Sequence, residues 1–404
     1  MHRVSIVITT FNRAKMLLSA IKGALDQTYK DFELLVLDNA STDETNELIK
    51  QFKDPRLVYI RRAVNGGSAA NWTEAMKRAI GEFVLVTHDD DYLHPEIVMQ
   101  EVEAMDRYPQ AMMVGSNVRT IDVHGNEIQG RANPSRKNHV FKQGQYIMAY
   151  MDDRFVIPCP TQMIRRKGSL AIEKLRQKIA NTKNPESVGP IGDIYTVCRC
   201  NAFGWVVWLE EPLLDYRIHP GQESLTLDIT PSDIAMHEAV LSLCQQNHLQ
   251  RCIPSIKASL LRHLVLQKLL QGKTPKKMLR ELGEIERDNP KSYSMPVWPD
   301  GRARTLRGQK VAIFGSLLNA FLLAEECLAS GVKVTSFLDN NPKRQHKRLD
   351  GIMVHSPDWL LHHQVDAVLI SNEKRSKDQI EPGLRLLTDA KIIHWKELCD
   401  DTWP

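Results

Sequence analysis

A chain of 404 residues is too long for one ordinary hydrophobic core and points to two or three domains. With 42% apolar and 25% charged residues, the composition excludes a fibrous or disordered chain. The net charge of +4 is small for this length and implies no nucleic-acid partner, and the seven cysteines lack zinc-ligand spacing, so reduced thiols in cores are expected.

No apolar run approaches the roughly 20 residues that span a bilayer. The opening MHRVSIVITTF leads into a strand with no cleavage-site pattern behind it, and a cytoplasmic protein is expected. Basic runs at KTPKKMLR (from Lys273), RARTLRGQK (from Arg302) and PKRQHKR (from Pro342) read as solvated faces, and leave open a peripheral contact at the inner face of the membrane.

In chain order, VSIVITT (Val4 to Thr10), FELLVLD (Phe32 to Asp38), LVYIR (Leu57 to Arg61) and FVLVT (Phe83 to Thr87) have strand character. Between them RAKMLLSAIKGALDQ, TDETNELIKQF and SAANWTEAMKRAI have helical spacing, the second behind a cap cluster at Ser41 to Asp43. This alternation predicts a parallel sheet covered by helices. Ligands of such sheets bind outside the carboxyl ends of the strands. That edge collects Thr10, Asn12 and Arg13, then Asp38, then Asp89, Asp90 and Asp91.

Three adjacent carboxylates repel one another unless a cation or a proton intervenes. They suit a hard divalent ion that keeps several waters and also grips a diphosphate; solvated aspartates capping a helix near Pro95 are the plainer alternative. Asp38 can accept from a base N–H or a ribose hydroxyl, and Arg13 can counter phosphate charge.

From about Met112 to Gly221 the pattern is mixed and reads as further sheet with an acceptor-facing region, including the polar basic loop GRANPSRKNHVFKQG. Residues from about Pro231 to Arg287 are helical, and DNPKSYSMPVWPDGRAR marks a linker. A second βαβ unit follows, with strands in QKVAIFGS, VKVTSFLDNN, VDAVLIS and AKIIHW and a helix in NAFLLAEECLASG. Asp339 lies 24 residues after Gly315, the spacing of a dinucleotide fold, but Leu317 and Ala320 replace the other two glycines of GxGxxG, which argues against NAD.

Three runs, VSIVITTFNRAKMLLSAIKGALDQTYKDFELLVLDNASTDET, NGGSAANWTEAMKRAIGEFVLVTHDDDYLHP and GDIYTVCRCNAFGWVVWLEEPLLDYRIHPGQES, resemble the family 2 glycosyltransferases of the GT-A fold. These are inverting enzymes that use nucleotide sugars, and the resemblance covers roughly residues 4 to 225. It implies an α/β chain with a GT-A type, Rossmann-like nucleotide-sugar domain over 1–228, a helical connector and linker over 229–300, and a smaller Rossmann-like α/β domain over 301–404. The last, through GIMVHSPDWL, resembles Rossmann-like domains attached to some polysaccharide-synthesis and sugar-modifying enzymes, where a scaffold or docking role is expected.

Carried residue by residue, the resemblance puts Thr10, Asn12 and Arg13 beside the nucleotide and Asp38 at the base. THDDD falls on the DxD-type motif, with Asp90 as metal ligand and Asp89 between metal and ribose. Asn71 falls on the donor side, although Asn71 and Trp72 replace a common Ala-Arg pair. Asp193 matches the second residue of the family's ED motif and becomes the candidate general base; by spacing alone it reads as a helix-cap residue. His219 in YRIH can reach the metal or the leaving phosphate, and Arg217 the diphosphate. His88 and Gly192 stand where the family has acids.

The activity implied is transfer from a nucleotide-diphosphate sugar, UDP-sugar favoured, to a saccharide, lipid-linked or protein acceptor in polysaccharide or glycoconjugate synthesis, assisted by Mn2+ or Mg2+. A nucleotide-sugar binding or sensing protein without turnover and an NAD-dependent sugar-modifying enzyme are the alternatives, and a homo-oligomer is left open.

Overall fold

The computed structural model describes residues 2–131, 133, 136–153, 155–166, 189–220, 222, 230–271, 275–288, 302–315, 317–340, 344–371 and 377–398. The expected linker lies largely outside these residues, as do parts of the basic runs from Lys273 and Pro342 and of the loop after Arg131, Ser316 in the expected glycine turn, and Cys399. The chain divides into two compact units, Met1–Ile253 and Pro254–Pro404.

The first unit begins β1 (Val4–Thr10), α1 (Ala14–Leu25), β2 (Phe32–Asp38), α2 (Thr45–Ile49), β3 (Leu57–Arg61), α3 (Gly67–Arg78) and β4 (Phe83–His88). It continues β5 (Tyr92–Leu93), α4 (Ile97–Arg107), β6 (Ala111–Ile121), β7 (Glu127–Arg131), β8 (His139–Phe141), α5 (Gln145–Asp153), β9 (Gln162–Arg165), α6 (Gly189–Phe203), β10 (Trp205–Arg217) and α7 (Thr230–Gln246). The ten strands form one sheet in the order β3-β2-β1-β4-β9-β6-β10-β5, with β7 beside β6 and β8 beside β10.

β1, β2 and β3 run parallel with β4, as expected, and the first two are buried almost end to end, which is why they are mainly apolar; Ser5 and Glu33, which interrupt them, are hydrogen-bonded to each other. Gly81 enters β4 where the chain crosses β1 so closely that a Cβ would stand 2.6 Å from the Ser5 nitrogen. The helix expected over TDETNELIKQF shrinks to Thr45–Ile49. Asp43 shapes its start by accepting from the Thr45 nitrogen at 3.2 Å and hydroxyl at 2.6 Å, and its other oxygen accepts from the Ala14 nitrogen at 3.0 Å, at the start of α1.

β10 departs from regular register between Leu209 and Leu214, around Pro212, which has no N–H to give to a ladder. Beyond the irregularity it pairs parallel with β6 and antiparallel with the two-residue β5, with Leu214 opposite Leu93 and Asp215 opposite Tyr92. This pairing brings the end of β10 beside the turn at Asp89 to Asp91.

The second unit holds α8 (Ile253–Leu270), α9 (Lys276–Asp288), β11 (Lys310–Phe314), α10 (Leu317–Ala329), β12 (Lys333–Leu338), β13 (Arg348–Leu349), β14 (Ile352–His355), β15 (Ala367–Ile370), α11 (Lys377–Arg385) and β16 (Lys391–His394). Its sheet order is β13-β14-β12-β11-β15-β16, parallel except for β13. Alternation along β11 feeds two cores: Val311 and Ile313 pack with Phe321 and Leu323, whereas Ala312 and Phe314 pack with Val368, Ile370 and Leu384. Among the described residues no helix is long and apolar enough to cross a membrane.

Candidate active site

The carboxyl ends of β1, β2 and β4 and the start of α1 meet at one place. Thr10 is buried at the end of β1 and donates its hydroxyl to Asp89 Oδ2 at 2.7 Å. Arg13 Nη1 bridges two carboxylates, at 3.0 Å from Asp89 Oδ1 and 2.9 Å from Asp90 Oδ2. From the loop after β10, His219 Nε2 lies 3.0 Å from the same Asp90 oxygen. The like charges are thus held together by cationic and hydrogen-bonding neighbours of the chain itself.

The three aspartates differ in protonation. Burial, the largest influence, pushes Asp89 up, aided by the charge of Asp90 and opposed by Arg13 and Thr10. Burial pushes Asp90 up too, but His88, His219 and Arg13 outweigh it and hold the carboxyl below its usual range. Asp91 is pushed up to about 7 by burial and by Asp90. For His88, burial disfavours the charged ring, yet Asp91, Asp90, Asp193 and Asp89 together raise its pKa. Asp90 is therefore the most acidic of the three.

Ligand atoms of His88, Asp90 and Asp91 lie within 4.8 Å of one another, and Asp91 Oδ2 is buried without a hydrogen-bond partner, 3.6 Å from His88 Nδ1. Two carboxylates and an imidazole fit a hard divalent ion such as Mn2+ or Mg2+. His219 stands one bond behind this trio, on Asp90.

The remaining predicted residues fall as follows. Asn12, at φ +54°, accepts from the Thr42 nitrogen at 2.7 Å and donates its own to Ser41 Oγ at 2.9 Å, tying the loop after β1 to the loop after β2. Asp38 is fully buried and spends one oxygen on the Ser41 nitrogen at 2.8 Å and the other on the Tyr59 hydroxyl at 2.6 Å, with Arg61 Nε at 3.5 Å. Asn71, on α3, donates to the Leu37 carbonyl at 2.9 Å, and its Oδ1 is buried without a partner. Arg217 donates its backbone N–H to Asp91 Oδ1 at 2.9 Å and its guanidinium to the carbonyls of Asp90, Asp122 and Val123, so it staples the turn. Asp193 is partly exposed early in α6, close enough to raise the pKa of His88.

Asp91, expected within the carboxylate cluster, joins Asp90 in the donor trio, and His88, which stands where the family has an acid, completes it. Two contributors were not expected from the sequence. Tyr59 caps Asp38 from β3, and Asp215 joins Arg119 and His94, a pairing that nothing local signals.

Residues 5–170 match the family model described as Glycosyl transferase family 2. An uncharacterized glycosyltransferase of Methanocaldococcus jannaschii is 28% identical over 221 residues, covering 53% of this chain and 70% of the relative. Residues 5–170 of the chain thus form a glycosyl transferase family 2 segment.

A UDP-Glc:alpha-D-GlcNAc-diphosphoundecaprenol beta-1,3-glucosyltransferase of Escherichia coli is 31% identical over 106 residues, 26% of this chain and only 42% of that protein. A GalNAc(5)-diNAcBac-PP-undecaprenol beta-1,3-glucosyltransferase of Campylobacter jejuni is 34% identical over 96 residues, 23% of this chain and 31% of that one. The crystal structure of S. aureus TarS 1-349 in complex with UDP-GlcNAc superposes with a TM-score of 0.50 at 16% identity, over 82% of this chain and 89% of the other, a likeness of fold. Of the site residues, those from Thr10 to Asp91 lie inside the matched segment, whereas Asp193, Arg217 and His219 lie beyond it.

Proposed function

We propose that this glycosyltransferase moves a sugar from a UDP-sugar to a hydroxyl of a saccharide acceptor by a single displacement that inverts the anomeric centre. The observation that carries this reading is the convergence of Thr10, Arg13 and His219 on Asp89 and Asp90 at the carboxyl edge of the sheet. A lipid-linked acceptor draws support from both undecaprenol glucosyltransferases, and a UDP donor from the Escherichia coli one.

Asp90, with His88 and Asp91, would hold a divalent ion, and His219 orients the Asp90 carboxylate. When bound, such an ion supplies Lewis-acid neutralisation of the charge that grows on the departing diphosphate. Arg13 adds a fixed positive charge on the same side, in a partly buried site where it counts for more than in water. On this reading Thr10 holds Asp89 for the ribose, and Asp38 and Asn71 are assigned to the base end of the donor.

Asp193 takes the proton from the acceptor hydroxyl as its oxygen forms the new bond to C1 and the C1–O bond to the diphosphate breaks. A positioned base of this kind is worth typically about 10² to 10⁴ in rate. The test is a panel of α-linked UDP-, GDP- and TDP-sugars with saccharide acceptors, with the product anomer read by proton NMR. A β-linked product from a UDP donor is expected. An α-linked product would overturn the single displacement, and turnover confined to another base would overturn the donor assignment.

A further inference from the structure

We propose that Asp215 is the positioning residue of this site, its carboxylate tying the segment that carries Asp89 to Asp91 to the strand that carries Arg217 and His219. The proposal rests on reading the site as a nucleotide-sugar site. Asp215 lies on β10 and is buried. From β6, Arg119 grips it with both prongs, Nε at 2.7 Å from Oδ1 and Nη2 at 2.8 Å from Oδ2. From the chain just after β5, His94 Nε2 lies 2.9 Å from Oδ1. One carboxylate therefore joins β10 to β6 and to the segment after β5.

Each arm of this clamp leads directly to the catalytic edge. His94 follows Asp91 by three positions, and Asp215 precedes Arg217 by two and His219 by four. The backbone ties between these segments are few: two ladder pairs at β5 and one bond from the His94 nitrogen to the Leu213 carbonyl at 3.0 Å. A two-residue strand is a weak anchor. A bidentate, charge-assisted pair is a strong one and fixes orientation as well as distance. The Arg217 bonds to Asp91 and to the Asp90 carbonyl, and the 3.0 Å contact of His219 with Asp90, span the same two segments and depend on their spacing. Asp215 touches no predicted ligand of its own; it acts through the residues on either side.

The test is UDP binding by calorimetry in Mn2+, alongside melting temperature, for the full chain and three variants. Asp215→Asn keeps the volume and removes the charge. Asp215→Glu keeps the charge. Asp54→Asn breaks a comparable bidentate pair with Arg56 at the opposite, amino end of β3, and serves as the control for a purely structural loss. The expected result is UDP affinity weakened about 10- to 100-fold in Asp215→Asn, the range for residues that orient metal-binding side chains. Asp215→Glu recovers part of it, and Asp54→Asn melts earlier but binds UDP like the parent. If Asp215→Asn does not fold, Arg119→Lys, which keeps the charge and loses the fork, takes its place with the same expectation. Unchanged UDP affinity in Asp215→Asn, or an equal loss in Asp54→Asn, overturns the positioning role alone. A parent chain that binds no nucleoside diphosphate overturns the donor reading and this proposal with it.

Discussion

Asp90 and His219 are 129 positions apart in the chain and meet at 3.0 Å, with Arg13 on the same carboxylate oxygen at 2.9 Å. Two elements of the first unit, the turn after β4 and the loop after β10, thus converge on one anion. His219→Ala should leave the fold intact and raise the metal concentration needed for half-maximal UDP binding by about 10- to 100-fold. A titration with Mn2+ that is the same for parent and variant would remove His219 from the site.

Asp193 is assigned the proton-accepting role. Asp193→Asn should lower the turnover number by about 10² to 10⁴ while UDP binds as before. Steady-state transfer rates beside calorimetric affinities separate the two effects; near-normal turnover would move the base elsewhere.

Much of this was legible in the sequence, and the reasons are physical. The strands Val4–Thr10 and Phe32–Asp38 announce themselves because they are buried almost end to end and therefore mainly apolar, and they finish on the polar Thr10 and Asp38 at the ligand edge. The clamp at Asp215 was not legible, since its partners lie 121 and 96 positions away and a long-range pair leaves no local pattern. Glu101 did leave a pattern that went unread: it falls with Ile97 and Met105 on the apolar stripe of α4.

That Glu101 is fully buried, and neither carboxylate oxygen has a hydrogen-bond partner. Burial raises its pKa well above the ordinary value. The folded chain therefore keeps a proton that the unfolded chain releases above about pH 4.3, so stability is full below that point and declines as the pH rises. Glu101→Met should stabilise the protein at neutral pH by about 1 to 3 kcal/mol and flatten that decline. Denaturant melts at pH 5 and pH 8 check this; a variant no more stable at either pH would contradict it.

Gly81 has no room for a side chain: a Cβ would stand 2.6 Å from the Ser5 nitrogen, 2.7 Å from the Val4 carbonyl carbon and 2.8 Å from the Phe83 oxygen. All three are backbone atoms of central strands, so no rotamer change relieves the clash. Gly81→Ala should cost about 1 to 3 kcal/mol, read as a lower midpoint in a urea melt; an unchanged midpoint would show that β1 and β4 separate easily.

The most direct test of the central claim is release of UDP from UDP-sugars by the full chain in the presence of Mn2+ and a saccharide acceptor. The account predicts release that a chelator stops, that added Mn2+ restores and that Asp90→Ala abolishes. Release that persists both in the chelator and in Asp90→Ala would contradict it.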